Sequence, residues 1–387
     1  MALNRAIVDV VTGITPPVQK PTERAFEASP EGFVIEFRGG QIARLVRGAL
    51  AAAMLDLLDD LRRDRTPVYV EVGPDGQAIQ RLRIPEIQQV AEVREVPGGD
   101  VDVALFPSHA RHTLSRKNDD FATLLAVLLD HHDKNEWLLI TETDRHEIID
   151  ARPFRRDDGP ALPGPPSGFA RLKSFVVDTW LHWFARWLNY RLCYWLCCRW
   201  PLRCCVSMKT AWDMFNLVAP TSCVPTNPLA PCIPFLYPDD GCWARAHEMC
   251  RLMIAAGVKP AKVWIDGTLV AATKNNPYCA VHWGWHVAPT LCVRTYWCAK
   301  ATYVIDPSLF TGPVTEATWK SVQGDPNATL THTSASVYWR NAIPTDPNYV
   351  DTNVQLAKYR NRLKLRSTVD TDPNTGLPWG PPPYAHC

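Results

Sequence analysis

Asp239-Asp240-Gly241-Cys242-Trp243-Ala244-Arg245-Ala246-His247 sets a cysteine at the opening of a helix. Acidic residues and a glycine ahead of an Ala- and Met-rich run mark a helix start, with Asp240 or Gly241 near the cap, so Cys242 falls in the first turn. Unpaired backbone N–H groups there favour a thiolate and can bind the oxyanion formed when it attacks a carbonyl. The two aspartates oppose this by raising the thiol pKa.

Working outward, Trp283-Gly284-Trp285-His286-Val287-Ala288 lies in an aromatic and β-branched stretch, Val281 to Val293, that reads as a strand. Thr302-Tyr303-Val304-Ile305 reads as a second strand, ended by Asp306 and Pro307. A thiol attacks as thiolate when a base is near, and a carboxylate fixes that base's tautomer. Cys242, His286 and Asp306 are therefore candidate catalytic residues: nucleophile, general base and orienting carboxylate. Taken singly, each has a plainer reading as a buried thiol, a core histidine or a turn residue; their joint occurrence in this order favours acyl-transfer chemistry. Trp243, Trp283 and Trp285 are candidate substrate-binding walls of the cleft, with core filling as the equal alternative. His282 and His286 share a strand face, which admits a zinc reading, but the expectation is no metal and no organic cofactor.

At these residues the chain resembles bacterial protein glutaminase, the protein-glutamine deamidase. The likeness rests on Thr221-Ser222-Cys223, Ala230-Pro231-Cys232, Tyr237 to His247, Trp283 to Ala288 and Ile305-Asp306-Pro307-Ser308-Leu309-Phe310-Thr311-Gly312-Pro313-Val314, and covers about Val206 to Leu363. It implies a fold similar to the transglutaminase core and a Cys-His-Asp triad on Cys242, His286 and Asp306. It also implies hydrolysis of glutamine side-chain amides through a thioester, a disulfide between Cys223 and Cys232, and synthesis as a latent proenzyme. Alternatives stay open: a transglutaminase or cysteine peptidase using the same triad, an effector toxin deamidating one host protein, or a binding protein that keeps the fold without the activity.

With 387 residues, 46% of them hydrophobic, the chain can bury two or three cores. Its net charge of +1 gives no reason to propose nucleic acid as partner; the expected partners are glutamine-bearing proteins or peptides and an activating protease. Met1 to Lys20 lacks the apolar region of a secretory signal, so the expectation of secretion or export after processing stands beside a cytoplasmic alternative. All 13 cysteines fall between Cys193 and Cys387, which suggests separately evolved halves.

The expected fold class is α+β: a papain- or transglutaminase-like cysteine amidohydrolase domain preceded by a smaller α+β domain. Residues 1–30 read as a flexible lead-in. Residues 31–155 form a pro-region-like or regulatory domain, with an adaptor, targeting or immunity-like domain as second reading. Within it, strands are expected at 33–37, 67–72, 101–106, 137–141 and 147–151, and helices at 41–65 and 121–131. A cleavable Pro/Gly linker occupies 156–170 and a Trp/Arg/Cys-rich helical connector 171–205; the catalytic domain spans 206–365 and an extended Pro-rich tail 366–387. Membrane contact through 174–202, with acylation of Cys193, Cys197, Cys198, Cys204 and Cys205, is less favoured than a helix packed on the catalytic domain.

Overall fold

Residues 6–154, 205–295, 299–339 and 343–387 are described by a computed structural model. The linker and nearly all of the connector lie outside the described residues, as do Cys193, Cys197, Cys198, Cys204 and Cys298. Three antiparallel five-stranded sheets and the helices packed on them make a mixed α and β protein.

The first sheet runs β3-β2-β1-β4-β5, from β1 (Ala6–Thr15), β2 (Phe33–Phe37), β3 (Ile42–Leu45), β4 (Pro67–Val72) and β5 (Ile79–Arg83). Helix α1 (Ala51–Arg63) lays Met54, Leu55, Leu57, Leu58 and Leu61 over it. Fully burying each leucine stabilises the fold by about 1.5–3 kcal/mol. Two expectations are corrected here. Instead of a flexible lead-in, residues 6–15 are the central strand, pairing Ile7 with Val70 and burying Ile7, Val10 and Val11. The helix expected over 41–65 is a short strand, a turn and then α1, because Ala43 and Leu45 alternate inward at a period of two before helical spacing begins.

The second sheet runs β10-β9-β6-β7-β8, from β6 (Glu86–Glu95), β7 (Val101–Phe106), β8 (His112–Leu114), β9 (Trp137–Glu142) and β10 (Ile148–Pro153). Helix α2 (Phe121–Lys134) packs Leu124 and Leu128 into its own core. The N-terminal half thus holds two cores, not one.

The C-terminal half opens with α3 (Met208–Val218) and α4 (Cys242–Ala255). Its sheet runs β14-β13-β12-β11-β15, from β11 (Ala261–Ala272), β12 (Ala280–Arg294), β13 (Lys300–Val304), β14 (Val314–Thr315) and β15 (Thr329–Ser334). Helix α5 (Glu316–Ser321), a hairpin of β16 (Val337–Trp339) and β17 (Ile343–Thr345), and α6 (Val350–Thr368) follow. Helix α6 joins the halves: Leu356, Tyr359 and Leu363 enter the core around α4, while Leu365 enters the first sheet's core. It also carries Arg362 to Glu86 (2.7 Å) and Glu142 (2.9 Å) across that boundary.

Disulfides link Cys223 to Cys232, the pair implied by the resemblance, and also Cys205 to Cys292 and Cys279 to Cys387. The last pins the Pro-rich tail, whose Tyr384 is buried. Cys242 and Cys250 are free and buried among the described residues.

Candidate active site

Asp240 fastens the loop that precedes Cys242. Its carboxylate accepts from Gly241 N–H (2.9 Å), His109 N–H (3.1 Å) and Tyr359 O–H (2.8 Å). The Arg245 guanidinium turns back to donate to the carbonyls of Tyr237 (3.0 Å) and Asp240. Gly241 takes a left-handed φ of 81°, and a Cβ there would stand 2.2 Å from the Tyr359 ring. Only glycine combines that backbone with that approach, and it places Cys242 as the first residue of α4.

His286 comes from β12, the strand against which α4 packs, and Asp306 from just beyond β13, the next strand over. His286 Nε2 lies 2.9 Å from Asp306 Oδ2. The same carboxylate accepts from Trp319 Nε1 (3.0 Å) and Ser308 N–H (3.2 Å). Burial works to raise the Asp306 pKa, but the hydrogen bond and charge of His286 and the Trp319 donor hold it below its usual value. An ionised Asp306 keeps the proton on Nε2 and leaves Nδ1 as the basic nitrogen. The imidazole stacks on Trp283 (4.4 Å between centroids) and Trp319 (5.6 Å).

Cys242 Sγ and a ring nitrogen of His286 lie within 4.8 Å of each other, and His286 meets Asp306, so the three candidate residues are neighbours. Among the described residues His282 joins no cluster of ligating side chains with His286. Burial pushes the Cys242 thiol strongly upward and Asp240 adds to the rise, against Arg245 and the Val287 amide. Trp243, Trp283 and Trp285 are all buried in the cores of the C-terminal half, and each ring also meets His109, from a segment of the N-terminal half.

That segment is Pro107 to Arg111, between β7 and β8. It pairs with the edge of β12: Gly284 N–H donates to His109 C=O (2.9 Å), Arg111 N–H donates to His282 C=O (3.2 Å), and Ala110 bridges Trp283. Trp339 Nε1 donates to Pro107 C=O (3.1 Å). The His109 ring lies 5.3 Å from Trp285, 5.4 Å from Trp283, 5.9 Å from His286 and 6.0 Å from Trp243. Sequence reasoning missed His109, Asp240 and Trp319. The Asp-Asp-Gly cap hinted at Asp240, whereas no local pattern marks His109, whose partner Asp240 is 131 positions away.

The glutaminase family model matches residues 211–323. A crystal structure of protein-glutaminase is 31% identical over 45% of this chain and 94% of its own, with a TM-score of 0.37. The chain belongs to the protein-glutaminase family. The NMR structure of protein-glutaminase from Chryseobacterium proteolyticum is 30% identical over 47% of this chain and 97% of its own (TM-score 0.37). A crystal structure of pro-protein-glutaminase is 22% identical over 71% of this chain and 91% of its own (TM-score 0.47). No curated protein matches. In this protein-glutaminase family member, the matched residues 211–323 contain Cys242, His286 and Asp306.

Proposed function

We propose that this chain hydrolyses the side-chain amide of protein-bound glutamine, releasing ammonia and leaving glutamate, and that its N-terminal half keeps it latent until cut. The observation that carries the reading is a free thiol on the first turn of α4 beside a histidine whose far nitrogen is held by an ionised carboxylate. Family membership favours water over an amine as acyl acceptor.

With the covering segment gone, Cys242 would give its proton to His286 Nδ1 and attack the carboxamide carbon. First-turn N–H groups of α4 suit the resulting oxyanion. The His286 imidazolium then protonates the departing nitrogen, ammonia leaves, and a γ-glutamyl thioester remains on Sγ. His286 next takes a proton from water, whose oxygen attacks the thioester; the carbonyl re-forms, the thiolate departs and the proton returns to it. Trp243, Trp283 and Trp285 would line the cleft that His109 now fills and hold the glutamine stem.

On this reading the catalytic, papain- or transglutaminase-like domain is 206–365, the latency domain is 31–155 joined by β1, and the processing site falls in the linker 156–170. The geometry that supports latency is the strand-like pairing of Pro107 to Arg111 on β12, with a His109 ring nitrogen within 4.8 Å of the thiol. The three disulfides among the described residues favour maturation in an oxidising compartment, hence export. Among the described residues, no helix is long and apolar enough to cross a membrane.

The test compares intact chain, linker-cut chain and linker-cut Cys242→Ala on a glutamine-rich unfolded protein, by ammonia release and peptide mass spectrometry. The cut wild type should convert glutamine to glutamate, the intact chain should not, and the variant should lose at least about 10⁴-fold in rate. Amine adducts or backbone cleavage in place of glutamate would overturn the deamidase reading.

A further inference from the structure

Where the two halves meet, one thiol and two imidazoles converge. A ring nitrogen of His109, a ring nitrogen of His286 and Cys242 Sγ lie within 4.8 Å of one another, and all three residues are buried. Each imidazole already has a carboxylate on one nitrogen: His109 Nδ1 is 2.6 Å from Asp240 Oδ1, and His286 Nε2 is 2.9 Å from Asp306 Oδ2. His286 Nδ1 and both ring nitrogens of His109 have no aligned hydrogen-bond partner, the Asp240 contact of His109 Nδ1 being an ion-pair approach only, although the side chains are only 0% and 2% exposed. Leaving a buried polar atom unpaired costs about 1–3 kcal/mol.

We propose that His109, Cys242 and His286 form a binding site for a thiophilic divalent cation, zinc above all, that locks the latent form. One thiolate and two imidazoles make a donor set suited to zinc and unsuited to magnesium or calcium, which take oxygen ligands. The Asp306 carboxylate hydrogen-bonded to the far nitrogen of His286 is the outer-shell pattern that orients histidine toward a metal, and Asp240 sets a carboxylate 2.6 Å from the His109 ring. Tetrahedral zinc, with bonds of about 2.0–2.3 Å, holds its donors roughly 3.3–3.7 Å apart, so closing this cluster takes side-chain movements of about 1 Å. The three ligands are also fastened independently: His109 by its backbone bonds to Asp240 and Gly284, Cys242 by the start of α4, and His286 by β12.

Because one ligand comes from the N-terminal half and two from the C-terminal half, the site exists only while the halves are docked. Binding displaces the thiol proton and occupies Sγ and Nδ1, the two atoms that the proposed hydrolysis needs free. Departure of the covering segment leaves two ligands and sheds the ion. This regulatory consequence rests on the glutaminase reading; the metal site does not.

The metal-stripped intact chain is titrated with Co²⁺, reading the thiolate-to-cobalt charge-transfer band and the tetrahedral ligand-field bands, and then with Zn²⁺ by calorimetry. One ion per chain is expected. Cys242→Ser should abolish the charge-transfer band, and His109→Gln should weaken binding by at least about 100-fold; Cys250→Ser, which alters the other free buried thiol among the described residues, should leave both unchanged. Circular dichroism establishes which variants fold, and either ligand variant alone decides the question. Absence of Co²⁺ binding by the folded intact chain, an undiminished signal in His109→Gln or Cys242→Ser, or its loss in Cys250→Ser would overturn the proposal. Glutamate formation by the cut chain is scored separately, so a metal-binding chain without deamidase activity and a deamidase without the metal remain distinguishable.

Discussion

The Asp306 carboxylate directs one oxygen at two ring N–H groups, those of His286 and Trp319, and the other at the Ser308 amide. Asp306→Asn removes the charge and replaces one acceptor oxygen with an NH₂ group. Turned inward, that group meets two donors and forces His286 into the tautomer with the proton on Nδ1; turned outward, it opposes the Ser308 N–H. In either arrangement the imidazolium loses its counter-charge. The expected outcome is a fall in kcat of the linker-cut enzyme by about 10²–10⁴-fold with KM little changed, measured by steady-state kinetics of glutamate formation. A loss confined to KM would show that Asp306 acts on substrate binding. That Cys242, His286 and Asp306 belong to one candidate site was legible in the sequence because each sits in a short aromatic or acidic frame, and the structure makes them neighbours. His109 was not, since its meaning arises from the docking of two halves, and a histidine after Pro107-Ser108 has no local signature.

Helix α4 depends on how its first turn is entered. Gly241→Ala would put a Cβ 2.2 Å from Tyr359 at a φ of 81°, so backbone strain adds to overpacking. The expected cost is roughly 2–5 kcal/mol in all, measured as a lower urea midpoint with an unchanged m-value. Relief of the clash should come from Tyr359→Ala in the same chain, leaving only the strain of about 1–2 kcal/mol plus the cavity; a double variant as unstable as the sum of its parts would place the cost elsewhere. At this scale most elements were readable: 33–37, 67–72 and 101–106 match β2, β4 and β7 to the residue, and the start of α4 falls on Cys242. The failures have physical causes. Ile42, Leu45 and Val46 fit a helical stripe as well as a strand, and strand pairing with β2 decided between them. Strand β1 was hidden in a Pro-punctuated stretch, although Ile7, Val8, Val10 and Val11 are β-branched and the strand is closed on both sides by long-range pairing that a local reading does not contain.

Across the whole molecule, the docking of the halves rests on buried charge as much as on apolar contact. Glu142, at the end of β9, faces His112 (2.7 Å), His146 (3.0 Å) and Arg362 of α6 (2.9 Å), while His146 also faces Asp239 (3.8 Å), which in turn pairs with Arg366 (2.5 Å). Burial alone would lower the His146 pKa, but Glu142, Asp239 and Asp240 outweigh it and raise the group from 6.5 to about 9. A histidine whose pKa is higher folded than unfolded contributes stability that is fully present below 6.5 and is lost as pH rises through 9. Between those values the folded chain holds one more proton than the unfolded chain, so stability falls by about 1.4 kcal/mol per pH unit, roughly 3 kcal/mol in total. Lys262 acts in the opposite sense: burial lowers it to about 8, and it adds stability as pH rises above that value. The quantity to measure is therefore the difference between wild type and His146→Gln in urea unfolding free energy, from pH 6 to 9.5. His146→Gln should be the less stable protein at pH 6, by roughly 3 kcal/mol, and the gap should close by pH 9.5. Because His146 and Glu142 lie in the N-terminal half and Asp239, Arg362 and Arg366 in the C-terminal half, the same proton should hold the covering segment in place. Limited proteolysis of the Pro107 to Arg111 region in the wild type should accelerate between pH 7 and 9.5 and stay flat in His146→Gln. A parallel pH dependence in both proteins would place the switch in another group.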